Sequence, residues 1–166
     1  MKFKLSPFEK KDLVIAWLAL AAAFTLGASG ILAVFMQGFS ALSPEKMLLT
    51  FVIALITVGL SFVLHELAHK FAAIKFGYWA EFRKSPQMLV IAVAVAVITG
   101  IVFAAPGATV INTAGRPLSK RENGIISVSG PLVNVLLIIP FAVIMFVGIF
   151  LGGVDAVAGG LFFNPF

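Results

Sequence analysis

Residues 47–70 read MLLTFVIALITVGLSFVLHELAHK, and this stretch decides the fold class. From Met47 to Leu64 no side chain is charged; then His65, Glu66, His69 and Lys70 arrive together. A helix needs about 20 apolar residues to cross the hydrocarbon core of a bilayer, and only helices and closed barrels satisfy their backbone groups there. Three further stretches have the same character. Leu13–Met36, Met88–Ala105 and Ile125–Leu151 carry no charge. None alternates with period two, which argues against a transmembrane barrel. Composition agrees: the chain is 61% apolar and 11% charged, against roughly half and a quarter in soluble domains. The expected fold is an all-α membrane protein of about four transmembrane helices. The longest polar stretch, Pro106–Gly124, is too short for a core of its own, so residues 1–166 form a single membrane-embedded domain.

Composition also excludes some functions. The chain has no cysteine, hence no disulfide, thiolate metal site or cysteine nucleophile. Its net charge of +5 fits Lys and Arg gathered in cytoplasmic loops, so no nucleic-acid partner is expected. The lysines before Leu13 also resemble the start of a signal peptide. The uncharged run that follows has 24 residues, longer than a signal core of about 7–15, so a retained helix is expected.

Charge places the loops. Lys2, Lys4, Lys10 and Lys11 precede the first run, while the first loop holds only Glu45 and Lys46. Lys70, Lys75, Arg83 and Lys84 follow the second run. The positive-inside rule then sets the N-terminus and Lys70–Lys84 in the cytoplasm, in a multi-pass protein of the cell membrane. Segment 88–105 is open to two readings. If it spans, eight cations lie inside and four outside; if it is re-entrant, eleven lie inside and one outside. Run length favours the span and charge favours re-entry. Segment 108–121 looks extended, with β-branched Thr109, Val110, Ile111 and Thr113 before a turn at Ala114-Gly115-Arg116-Pro117. It forms either a short β-hairpin with the residues after Pro117, the slightly favoured choice, or an edge offered to something else.

The chemistry sits in His65-Glu66-Leu67-Ala68-His69. Residues four apart share a helix face, so both imidazoles can hold one zinc ion. Glu66 is placed to act on a zinc-bound water, the logic of the H-E-x-x-H metalloproteases. His65 and His69 are the two histidines of the chain. An ionisable group against a membrane run costs roughly 2.5–3.5 kcal/mol on insertion scales and points to function. Lys70 is expected to snorkel to the headgroups. Ser61, Ala68 and Ala72 share that face, a stripe that ordinary close packing explains as well. Catalytic zinc usually has three protein ligands, and the third is not evident here. Asp155, between two apolar stretches, is a weak candidate, and a solvated turn is its simpler explanation.

Three blocks together resemble the site-2 protease family of intramembrane zinc metalloproteases, in particular its small prokaryotic members. They are Phe62–His69, ending a membrane helix, then Ser129-Gly130-Pro131-Leu132-Val133-Asn134, similar to the family's Gly-Pro-x-x-Asn segment, and Phe163-Asn164-Pro165-Phe166, similar to the start of its Asn…Pro…Asp-Gly segment. The resemblance implies zinc as cofactor, His65 and His69 as metal ligands and Glu66 as the catalytic base. It implies Asn134 as a substrate or oxyanion contact, for which an interhelical hydrogen bond is the structural alternative. A transmembrane protein in the lipid bilayer would be the substrate. The family's aspartate ligand would lie beyond Phe166, so a chain truncated before its third ligand is expected. The resemblance also sides with charge in making 88–105 re-entrant. The alternatives are a catalytically inactive relative that binds membrane helices, and a metal-binding transport or sensing protein.

Overall fold

In the computed structural model the protein is an all-α membrane protein, described over residues 3–28, 43–102 and 106–161, and by its backbone alone from 152 to 161. Among the described residues, four helices and two strands follow in the order α1 (Pro7–Ala28), α2 (Pro44–Lys75), β1 (Trp79–Lys84), α3 (Pro86–Thr99), β2 (Gly107–Asn112) and α4 (Lys120–Leu161). Among the described residues, α1, α2 and α4 are long and apolar enough to cross a bilayer.

Local chemistry sets the helix ends. The Ser6 hydroxyl accepts from Glu9 N–H, Ser43 from Lys46 N–H and Ser85 from Met88 N–H. Each of these serines is followed by a proline in the first turn, where its missing N–H costs nothing. Gly77, at φ 86°, carries the chain out of α2, and Gly100, at φ 73°, closes α3 with a hydrogen bond to the Ala96 carbonyl.

α3 settles the re-entrant segment. Its 14 residues rise about 21 Å, well short of a hydrocarbon core of about 30 Å. The strands on either side of it pair antiparallel, Lys84 opposite Gly107 and Trp79 opposite Asn112, and Ser85 N–H donates to the Pro106 carbonyl at 2.8 Å. The segment therefore leaves and returns at one level. Of the expected range, 103–105 lies outside the described residues.

The expected hairpin over 108–121 is corrected. β2 pairs instead with β1, in the polar segment between the second and third apolar runs. After β2 the chain turns through Ala114 and Gly115, both at positive φ. Pro117 then lacks a ladder donor, and α4 begins three residues later, leaving no return strand.

α1 packs on both α2 and α3, and α4 packs on α2. Contact between α1 and α2 is close because Gly59 has no side chain: the Trp17 indole fills the place of a β-carbon and donates to the Leu55 carbonyl at 2.8 Å. Two apolar clusters hold the sheet to the helices. Phe82 sits with Leu13, Ala16 and Leu89, and Tyr78 and Ala80 sit with Ala72, Ala73 and Ile126.

The start of α1, the end of α2, the sheet and the start of α4 gather at one level. Lys70 pairs with Glu9, Lys84 with Asp12 and Arg116 with Glu122, while Tyr78 donates to Glu122 at 3.1 Å. Lys70 does not snorkel. It is 2% exposed, bonded to Glu9 and to the Lys4 carbonyl, because α1 brings a carboxylate to it inside the protein.

Candidate metal centre

His65, Glu66 and His69 lie on the last third of α2, a few turns before it ends at Lys75. The helical step of four turns both imidazoles to one side, and their Nε2 atoms stand 3.0 Å apart. Two nitrogens bound to one tetrahedral ion at about 2.05 Å would stand roughly 3.3 Å apart, so the pair needs to open by only a few tenths of an ångström.

α4 holds the far side of each ring. His69 Nδ1–H donates to the Ile126 carbonyl at 2.7 Å, with the Ser129 hydroxyl 3.4 Å from the same nitrogen. This bond puts the His69 proton on Nδ1 and leaves the Nε2 lone pair for a metal. His65 Nδ1 meets the Asn134 side-chain amide at 3.0 Å, and the other end of that amide accepts from Ser61 Oγ at 2.9 Å. Gly130 makes the approach of α4 feasible, since a β-carbon there would sit 2.6 Å from His65 Nε2 and closer still to His69 Nε2.

Glu66 is 9% exposed, and its carboxylate accepts from the Thr109 hydroxyl at 2.8 Å. β2 is thereby tied to the acid beside the histidine pair. A groove of about 880 Å³ opens at this point. Ser61, His65, Glu66, Gly107 and Asn134 form its polar end, and Phe62, Leu137, Ile138, Phe141 and Met145 are among its apolar walls. Water-activating chemistry beside an apolar channel is what this arrangement can support.

The donor set fits a zinc ion: two imidazoles on one face, both orienting partners on a second helix, and a carboxylate alongside. Among the described residues no cluster of three or more His, Asp or Glu side chains is placed to hold a metal. Glu9, Asp12, Glu81 and Glu122 are engaged by Lys or Arg. Asp155 lies in the unbroken α4 rather than in a turn, its backbone about 30 Å of helix rise beyond Asn134. Its side chain, and all of Phe163–Phe166, lie outside the described residues.

The sequence singled out His65, Glu66, His69 and Asn134, and the fold brings all four together. It gave no sign of Thr109, 43 positions from Glu66, nor of the Ile126 carbonyl, since a backbone atom has no residue signature. Gly130 stood inside the quoted Gly-Pro-x-x-Asn block, but its role depends on how closely the helices approach.

Over 145 residues the chain is 35% identical to a protein of Methanocaldococcus jannaschii provisionally named a zinc metalloprotease. The match covers 87% of this chain and 66% of that protein, so the chain spans just under two thirds of its relative's length. No protein-family model and no solved structure matches.

Proposed function

We propose that this chain is an intramembrane zinc metallopeptidase of the H-E-x-x-H type, in the site-2 protease family, which cleaves peptide bonds of membrane-spanning proteins. The observation that carries the proposal is the facing Nε2 pair, backed by α4, with Glu66 beside it at the polar end of an apolar groove. The name carried by the M. jannaschii relative supports the same chemistry and the same metal.

His65 and His69 would hold the ion. When bound, zinc supplies a Lewis acid that makes water nucleophilic near neutral pH and polarises the scissile carbonyl. Glu66 takes the proton of the attacking water and delivers it to the leaving amine. The Thr109 hydroxyl keeps one carboxylate oxygen directed, leaving the other for proton transfer. The apolar walls admit a substrate helix and limit bulk water.

β2 supports a binding mode for the unwound substrate. The outer edge of β1 is closed by α1, where Glu9 accepts from Phe82 N–H at 3.1 Å and Asp12 accepts from Lys84 N–H at 3.4 Å. Among the described residues no strand pairs with the far edge of β2, the strand whose Thr109 side chain meets Glu66. A substrate segment added there would gain main-chain hydrogen bonds and lie along the site. The cationic level of the protein, with Lys10, Lys11, Lys75, Lys120 and Arg121 at helix ends, supports a cytoplasmic N-terminus in the cell membrane.

The test compares zinc content and cleavage of a membrane-embedded reporter for the wild type, His65→Ala and Glu66→Gln, in detergent without a histidine tag. Zinc should be lost in His65→Ala and kept in Glu66→Gln, while cleavage falls at least about 100-fold in both. Cleavage unchanged by Glu66→Gln would refute the peptidase, leaving a helix-binding relative.

A further inference from the structure

The Asn134 amide lies between a metal-facing histidine and a hydroxyl that can either donate or accept. We infer that Asn134 is a positioning residue: with Ser61 it fixes the His65 tautomer, and its amide turns over when the metal centre fills. The inference rests on the zinc reading above and gives Asn134 a task distinct from contact with substrate or oxyanion.

His69 Nδ1 is 2.7 Å from the Ile126 carbonyl, which can only accept, so His69 carries its proton on Nδ1. Its Nε2 is then an acceptor, 3.0 Å from His65 Nε2, and a hydrogen bond there requires His65 to carry its proton on Nε2. His65 Nδ1 must then accept. The Asn134 Nδ2 amide donates to it at 3.0 Å, and Asn134 Oδ1 accepts from the Ser61 hydroxyl at 2.9 Å. The chain of donors and acceptors from Ser61 to Ile126 is complete without a metal.

The same geometry dictates what zinc requires. To ligate, His65 must free Nε2 and carry its one proton on Nδ1, so no net proton is gained or lost. Nδ1–H then needs an acceptor where Nδ2 now stands. Rotating the amide by half a turn puts Oδ1 there and points Nδ2 at Ser61, whose hydroxyl accepts as readily as it donates. An apolar side chain at 134 would serve neither state. An aspartate, which only accepts when ionised, would serve the metal-bound state.

The experiment uses the chain in detergent micelles with ¹⁵N-labelled histidine; with two histidines in the sequence, each imidazole gives its own signals. Zinc affinity is read by competition with a chelator. Asn134→Ala should bind zinc about 10–100-fold more weakly than the wild type, as loss of a ligand's outer partner does elsewhere. Asn134→Asp should hold zinc within about threefold of the wild type, because it keeps the acceptor. Ser61→Ala should fall between wild type and Asn134→Ala. In the metal-free protein, His65 Nδ1 should carry no proton in the wild type and should carry one in Asn134→Asp, a readout that stands even if Asn134→Ala does not fold. The inference is overturned if Asn134→Ala binds zinc like the wild type, if Asn134→Asp loses it to the same degree, or if His65 Nδ1 is in the same protonation state in wild type and Asn134→Asp. A wild type that binds no zinc would remove the metal centre itself and this inference with it.

Discussion

Gly130→Ala is the smallest change that tests whether α4 truly backs the histidine pair. The added methyl would stand 2.6 Å from His65 Nε2, 2.7 Å from His65 Cδ2 and nearer still to His69 Nε2. Ordinary carbon contacts are about 3.5–4.0 Å, so roughly an ångström must be found. The imidazoles cannot simply swing aside. His69 is tied to Ile126 and His65 to Asn134, both on the helix that carries the methyl. Moving a ring breaks a hydrogen bond, at about 1–3 kcal/mol for the group left unpaired. Moving α4 outward is overpacking, also about 1–3 kcal/mol. By either route zinc affinity should fall about 10–100-fold, since 1.4 kcal/mol is a factor of ten. The assay is chelator competition, with circular dichroism to confirm that the helices persist. Zinc affinity within about threefold of the wild type in a folded Gly130→Ala would mean that α4 does not press on the site, and the ligand-orienting argument would fail.

Two further predictions concern stability. Gly59→Ala should force the Trp17 indole out of its notch and break its bond to the Leu55 carbonyl; a loss of about 2–4 kcal/mol is expected, read as a lower midpoint of thermal unfolding in detergent, and an unchanged midpoint would refute the α1–α2 contact. Lys70→Met should cost about 3–5 kcal/mol because it strands the fully buried Glu9 carboxylate. The double variant Glu9→Gln/Lys70→Met should recover most of that, and if it is no better than the single, the pair is not coupled.

How much was legible in advance can be seen in particular elements. The membrane class, the long helices and the HELAH site follow from local facts: an uncharged run of sufficient length, and a spacing of four on a helix. β1 is not legible locally because Trp79–Lys84 carries Glu81, Arg83 and Lys84, a polar stretch that becomes a strand only when β2 and the α1 carboxylates take up its hydrogen bonds. By sequence alone Lys70 belongs with the headgroups, because a lone cation near a helix end snorkels. Its partner, Glu9, lies 61 residues away.

The sequence by itself determined what the chain could afford to bury and which residues could hold a metal. Both depend on composition and on periodicity within a few residues, and neither needs to know which helices meet. The tertiary structure decided the rest. It brought Pro106 back to the level of Ser85, set Thr109 on Glu66, and placed the Ile126 carbonyl and the Asn134 amide behind the two imidazoles. Those contacts join positions 43 to 69 residues apart, and only the packing of α4 and β2 against α2 brings them together.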